Sequence, residues 1–288
     1  MEKAERINAL INLLDDPDQK VYQQVSEELL DLGNSAVPAL ESAWEDAFNA
    51  VLQSRIESVM HQIQFQGVFK ALKKWKNSPD QNLLEAATII ASYQYADINT
   101  HFIYDFVDQL IQDIWIEMNA NYTAMEKVGI VNKVFFEIYG FSGNKKNFHS
   151  PRNSFINNVL EVRKGNPISL SILYLEVASR LKLPIYGVNL AEHFVLAYTE
   201  IPIQFLEKIK KDNVLFYINP FNKGTLFQAK EIDLFLSQLK IEEQDKFYLP
   251  CNRLAVINRL INNLIFCYNK SGYKDKVEEM VHLKKALN

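Results

Sequence analysis

Apolar residues at helix spacing run through most of this chain. Ile7, Leu10, Ile11 and Leu14 form one stripe and predict a first helix. Asp15-Asp16-Pro17 stops it, because proline biases the residue before it away from helical geometry. Asp18 is a suitable N-cap for a second helix carrying Val21, Tyr22, Val25, Leu29 and Leu30, and Gly33 is suited to close it. A third helix is predicted over 36–44, with Pro38 tolerated in the first turn. The same period continues over 47–76 through Phe48, Leu52, Ile56, Val59, Ile63 and Phe69. Asn77-Ser78-Pro79-Asp80 then reads as turn chemistry. Helices are predicted over 81–94, along Phe102, Phe106, Leu110, Ile114 and Met118, and over 126–139 up to Gly140. The segment 141–155 is expected to be a polar, exposed loop.

The middle of the chain changes character. A short helix is predicted over 153–163, with Phe155, Ile156, Val159 and Leu160 inward. Gly165-Asn166-Pro167 is a helix-entry signal: Asn166 can accept from an orphan backbone N–H, and Pro167 suits the first helical position. The helix that follows, 167–181, is apolar nearly all round, which marks it as a core helix. Glu176 stands on it, either at a solvated edge or buried with a partner, for which Arg163 and Arg152 are the candidates. Strand-like runs follow at 185–190, at 194–198 opened by His193, and at 214–218 ending in Asn219-Pro220-Phe221. Between them, 201–212 reads as a polar insertion or a short helix. Helices are predicted again over 231–239, 253–268 and 274–287, with Gly272-Tyr273 as the last turn.

Composition narrows the function classes. The 288 residues suffice for roughly two domains of ordinary size. The net charge of −4 and short lysine pairs such as Lys73-Lys74 and Lys145-Lys146 do not make the basic footprint of a nucleic-acid binder. The aromatics fall at helix spacing without interleaved Arg or Lys, so they read as core rather than as stacking platforms for bases. No run approaches the ~18 apolar residues of a membrane span. The charged, amphipathic N-terminus lacks a secretory apolar region, so a cytoplasmic protein with two free thiols, Cys251 and Cys267, is expected. Neither these cysteines nor His61 has a second residue at metal-ligand spacing, and no metal or cofactor is expected.

Several stretches resemble known families. LLDDPDQKVYQQVSEELLDLGNSAVPAL is similar to a HEAT-type paired-helix unit, or is an all-helical cap on the main domain. The pair of helices around Gly272-Tyr273 resembles one tetratricopeptide unit. The order of helix, strand with histidine, and strand ending in Asn is that in which transglutaminase and papain-like folds present Cys, His and Asp or Asn. The run SPRNSFINNVLEVRKGNPISLSILYLEVASRL, followed by EHF and INPFNKG, with SYQYADI upstream, resembles the transglutaminase-like SirB family over nearly the whole chain.

The resemblance implies an α+β, predominantly helical protein. It would have a HEAT-like region at 1–78, a transglutaminase-like core with a small antiparallel sheet at 79–250, and a helix pair at 251–288. It places Pro167 at the position of the nucleophilic cysteine, His193 at the histidine and Asn219 at the third member. Ser150 stands where an Asp is usual, and Glu192 where a Gly is usual. Arg152, Asn153, Asn157, Arg163, Pro167, Glu176 and Glu192 are expected to be cleft or structural positions. Two functions follow. One is a non-catalytic protein that binds a protein or peptide partner, with no nucleic acid and no membrane involved. The other is an acyl-transfer or amide-hydrolysing enzyme using Ser169 or Ser171 with His193 and Asn219. A first-turn serine more simply bonds within its own helix turn, and a hydroxyl needs a well-aligned base.

Overall fold

The computed structural model describes residues 2–200 and 209–288. The prediction for 201–212 therefore falls mostly outside the described residues. Contacts divide the chain into two compact units, residues 1–71 with 92–96, and residues 72–91 with 97–288.

The first unit is helical: α1 (Glu2–Leu13), α2 (Gln19–Leu32), α3 (Val37–Asp46) and most of α4 (Ala50–Lys76). The predicted stripes form its core, in which Leu14, Leu29, Leu40, Ile56 and Val59 are fully buried. Asp18 caps α2, accepting from the Lys20 N–H at 2.8 Å. Phe48 is a correction. The helix begins three residues later than the pattern suggested, so Phe48 sits in the connection and is fully exposed. His61 packs edge-on to Tyr93, with ring centroids 6.1 Å apart.

The second unit is built around one helix. Its elements begin with α5 (Leu83–Ser92), α6 (Thr100–Glu117), α7 (Ala124–Asn132), β1 (Ser142–Gly143), α8 (Ile156–Val162), β2 (Lys164–Gly165) and α9 (Pro167–Arg180). The sheet strands β3 (Ile185–Val188), β4 (Val195–Thr199), β5 (Val214–Asn219) and β6 (Thr225–Phe227) follow, then α10 (Ala229–Leu239), α11 (Arg253–Lys270) and α12 (Lys274–Lys284). Every residue of α9 from Pro167 to Ala178 is buried, as its all-round apolar sequence requires. It packs against α6, α8, α11, β3 and β4.

The four strands form an antiparallel sheet in the order β3-β4-β5-β6, in which Leu196 pairs with Ile218 and Ala197 with Tyr217. Alternate side chains leave a strand on opposite faces. Val195, Ala197 and Tyr217 accordingly form a separate apolar cluster with Ile232 and Leu236 of α10. Strand β6 was not foreseen.

Three expectations for α9 and the region before it need correcting. The segment 141–155 is exposed only at 145–148 and at Arg152; before that, β1 lies parallel to β2, with the Ser142 N–H donating to Arg163 O and the Asn144 N–H to Gly165 O, each at 2.9 Å. Phe141, Asn153, Ser154 and Phe155 are all buried. The helix expected over 153–163 is a 3₁₀ turn, Pro151–Ser154, followed by α8. Finally, Glu176 is buried, but neither Arg163 nor Arg152 is its partner. Asn82 Nδ2 donates to its carboxylate at 3.2 and 3.3 Å, and Arg180 Nη1 lies 3.8 Å away. Helix geometry explains this, since Arg180 is the i+4 neighbour of Glu176. Arg152 instead donates to Asn158 Oδ1 at 3.1 Å, and Arg163 lies over the Phe106 ring at 4.1 Å.

The start of α9 is a complete capping box. Asn166 Oδ1 accepts from the Ser169 N–H at 2.9 Å, and Ser169 Oγ accepts from the Asn166 N–H at 3.1 Å. Asn166 Nδ2 also donates to Ser154 Oγ at 2.8 Å. Replacing Asn166 with Ala should therefore cost roughly 2 kcal/mol, the upper end of capping losses, whereas Asp18→Ala on exposed α2 should cost about 1 kcal/mol. Urea unfolding followed by circular dichroism measures both. Equal losses would show that the buried cap carries no special weight.

Candidate functional site

The N-terminus of α9 faces a cavity of about 450 Å³. Pro167 and Ile168 form its floor, and Phe148, Glu192 and Phe194 contribute from the strap before α8 and the turn before β4. The far wall is α11, through Arg259, Asn262, Asn263 and Phe266. These four fall at i, i+3, i+4 and i+7, so they form one stripe, while Val256, Ile257, Leu260, Ile261 and Leu264 form the buried stripe of the same helix. His149 completes the lining, its ring 5.1 Å from Phe148 and 5.5 Å from Phe266.

A polar network fixes this end of α9. Asn153 donates from Nδ2 to Asn147 O at 2.7 Å and accepts at Oδ1 from Asn144 Nδ2 at 2.8 Å. Its carbonyl oxygen accepts from Ser169 Oγ at 2.6 Å. Ser154 Oγ accepts from both Asn166 and Asn263, the latter at 2.9 Å, and so links α9 to α11 across the base of the cavity. Gly165 is required for this closeness: a Cβ there would come within 2.6 Å of Ser169 Oγ.

Of the residues expected to form a triad, Ser169, His193 and Asn219 each have another engagement, and Ser171 is buried. The single hydroxyl proton of Ser169 is directed at Asn153 O. Ser171 is fully buried, and its hydroxyl has no hydrogen-bond partner among the described residues. Asn219 Oδ1 accepts from the Asn222 N–H at 3.2 Å, capping the turn that follows β5. The His193 ring packs against Phe235 of α10 at 5.0 Å and does not line the cavity, where its neighbour Phe194 stands instead. Of the remaining expected positions, Pro167 and Glu192 line the cavity, and Asn153 belongs to the network beneath it. Asn157 Oδ1 and Arg163 Nη1 are buried without a hydrogen-bond partner among the described residues, and neither residue lines the cavity.

Arg259 and Glu192 bring opposite charges to the cavity. Arg259 Nη1 donates to Asn189 Oδ1 at 3.1 Å. Burial, and then the Arg259 charge, hold His193 below the usual imidazole range, with Glu192 opposing them. Sequence reasoning missed Arg259, Asn262, Asn263 and Phe266, which look like the solvated face of an amphipathic helix. The signal available was the large aromatic Phe266 on that otherwise polar face. Among the described residues, no group of three His, Cys, Asp or Glu side chains could hold a metal ion, and no helix is long and apolar enough to cross a membrane.

Residues 102–262, from α6 into α11, match the family described as the transglutaminase-like superfamily. The chain belongs to that superfamily. Within it, the likeness is to the SirB-like UPF0162 proteins. One from Xylella fastidiosa (strain 9a5c) is 32% identical over 200 residues, 67% of each chain. Another, from Pseudomonas aeruginosa, is 29% identical over 193 residues, 66% of each chain. Mouse F-box only protein 21 is 26% identical over 244 residues, which are 75% of this chain and 37% of that protein. No solved structure matches the chain.

The depressed pKa of His193 has a pH consequence with a definite sign. The unfolded imidazole titrates near 6.5. The folded one titrates lower, so the unfolded state takes up its proton first as pH falls. Stability from this group is thus complete above about pH 6.5 and declines as pH drops toward the folded value. The His193 ring, followed by proton NMR, should titrate below the unfolded value, and Arg259→Gln should raise it. A His193 pKa at or above the unfolded value, or one unmoved by Arg259→Gln, would contradict the assigned cause.

Proposed function

We propose that this protein is a non-catalytic transglutaminase-like protein, which acts by holding a protein or peptide segment in the cleft at the start of α9. The observation that carries this reading is the occupancy of the nucleophile's place. Pro167 stands at the position the family resemblance gives to the cysteine, and it has no nucleophilic atom. The nearest hydroxyl, Ser169, spends its proton on the Asn153 carbonyl inside a capping box. A serine nucleophile needs its proton directed at a base, with that base oriented by a third group. Ser169, His193 and Asn219 are each directed elsewhere.

What survives is suited to binding. The cleft has aromatic walls in Phe148, Phe194 and Phe266, and polar groups in Arg259, Asn262 and Glu192 that can fix the orientation of an extended segment. The free cysteines, Cys251 and Cys267, support a reducing, cytoplasmic setting.

Fluorophosphonate probes should leave the protein unlabelled. Labelling that Ser169→Ala or His193→Ala abolishes would make it a serine enzyme and end the non-catalytic reading. A Pro167→Cys variant tests the cleft itself. A thiol at a helix N-terminus favours its thiolate, whereas burial pushes Cys251 up to about 12 and Cys267 up to about 11. Iodoacetamide should therefore modify the new cysteine at least tenfold faster than either native one. Plugging the cleft at that cysteine with a bulky maleimide should release proteins that the unplugged chain captures from its native cytoplasm. Capture unaffected by the plug would place the binding activity elsewhere.

A further inference from the structure

Charge is distributed very unevenly along the chain. The first 60 residues carry four Lys and Arg against twelve Asp and Glu, a net −8, so the remaining 228 residues carry +4. The first compact unit, residues 1–71 with 92–96, carries five Lys and Arg against twelve Asp and Glu, a net −7, although the whole chain is nearly neutral.

The same unit exposes apolar side chains that its core does not use. Phe48 is 105% exposed, Val51 57%, Leu13 45% and Trp44 37%. All four lie at the end of the unit where α1 gives way to α2 and α3 to α4. Hydrogen bonds hold these two junctions together. Asn49 Nδ2 donates to Asp15 Oδ1 at 3.0 Å, and Arg55 Nη1 donates to the carbonyls of Leu14 and Asp16, each at 2.7 Å. Gln53 Nε2 donates to Ala47 O at 2.9 Å, and Trp44 Nε1 to Glu57 Oε1 at 2.9 Å. The exposed residues therefore project from a braced surface, and an apolar patch of this kind on a folded surface marks an interaction site.

The surroundings of the patch select its occupant. Asp15, Glu45 and Asp46 are exposed beside it. Arg55, at the same junction, is turned inward over the Tyr22 ring and onto backbone carbonyls. A second copy of the chain would bring a like-charged rim against this one, which is unfavourable. A basic amphipathic segment would instead cover the apolar centre and pair its charges with the rim.

We infer that the junction end of the N-terminal helical unit, centred on Phe48, docks a basic amphipathic helix of a protein partner. This surface belongs to the first unit and the cleft at α9 to the second, and the inference stands whether or not that cleft is catalytic.

The test uses the full chain and a fluorescent Leu/Lys amphipathic 14-residue peptide, read by anisotropy, with a Leu/Glu peptide of the same pattern as control. The Leu/Lys peptide should bind saturably and the control should not. Phe48→Ser should weaken binding at least tenfold without lowering thermal stability, since Phe48 buries nothing in the fold. Glu45→Lys with Asp46→Lys should weaken it at least as much, and raising salt from 0.1 to 0.5 M should weaken wild-type binding. Absence of saturable binding, or binding indifferent to Phe48→Ser, would overturn the inference. So would a concentration-dependent dimer in sedimentation that Phe48→Ser abolishes, because the patch would then belong to a second copy.

Discussion

The second unit depends on the reciprocal bond between Asn166 and Ser169. A helix start leaves backbone N–H groups without partners, and burial makes each of them costly. Here the start is fully buried, so every polar atom must be answered from nearby chain. Asn166 and Ser169 answer one another, Asn153 accepts the remaining hydroxyl proton, and Ser154 carries the link on to Asn263. The strap formed by β1, β2 and the 3₁₀ turn exists to deliver those partners. The same demand engages the Ser169 hydroxyl, whose proton is directed at the Asn153 carbonyl.

Most of the architecture could be read along the chain because long apolar stripes leave little choice. The near-total burial of α9 followed from Ile168, Leu170, Ile172, Leu173 and Leu175 lying all round one helix. The cap at Asn166-Pro167 followed from the chemistry of those two residues. Failures came where local pattern gives no vote. Phe48 has the right spacing for a stripe but lies two residues before the helix begins. The strap at 141–155 is polar in sequence because its asparagines bond to one another and to backbone inside the protein, which looks the same in a sequence as solvation. Glu176 took its partners from Asn82, 94 residues away, and from Arg180 one helical turn on. Composition offers no means of choosing such a partner over Arg163.

The candidate site was legible in position and less so in geometry. Pro167 and Glu192 do border the cleft. His193 and Phe194 illustrate what sequence order leaves open, because consecutive residues entering a strand point to opposite faces. Matching a motif singles out His193 as the expected histidine, but does not say which side of the sheet its ring reaches. Here the sheet's two faces pack against different helices, α9 and α10, and the imidazole lies with Phe235 on the α10 side. That placement also accounts for its depressed pKa, since burial and the Arg259 charge both favour the neutral ring.

Helix α11 keeps its two tasks on separate faces. Its buried stripe is committed to the core, while Arg259, Asn262 and Phe266 contribute to the cleft wall and carry little of the packing. Descendants of such a chain can therefore change the lining of the cleft by exchanging Arg259, Asn262 or Phe266, without renegotiating the fold. Diversification among proteins sharing this scaffold should accumulate at those positions, and the helix facing them should change slowly.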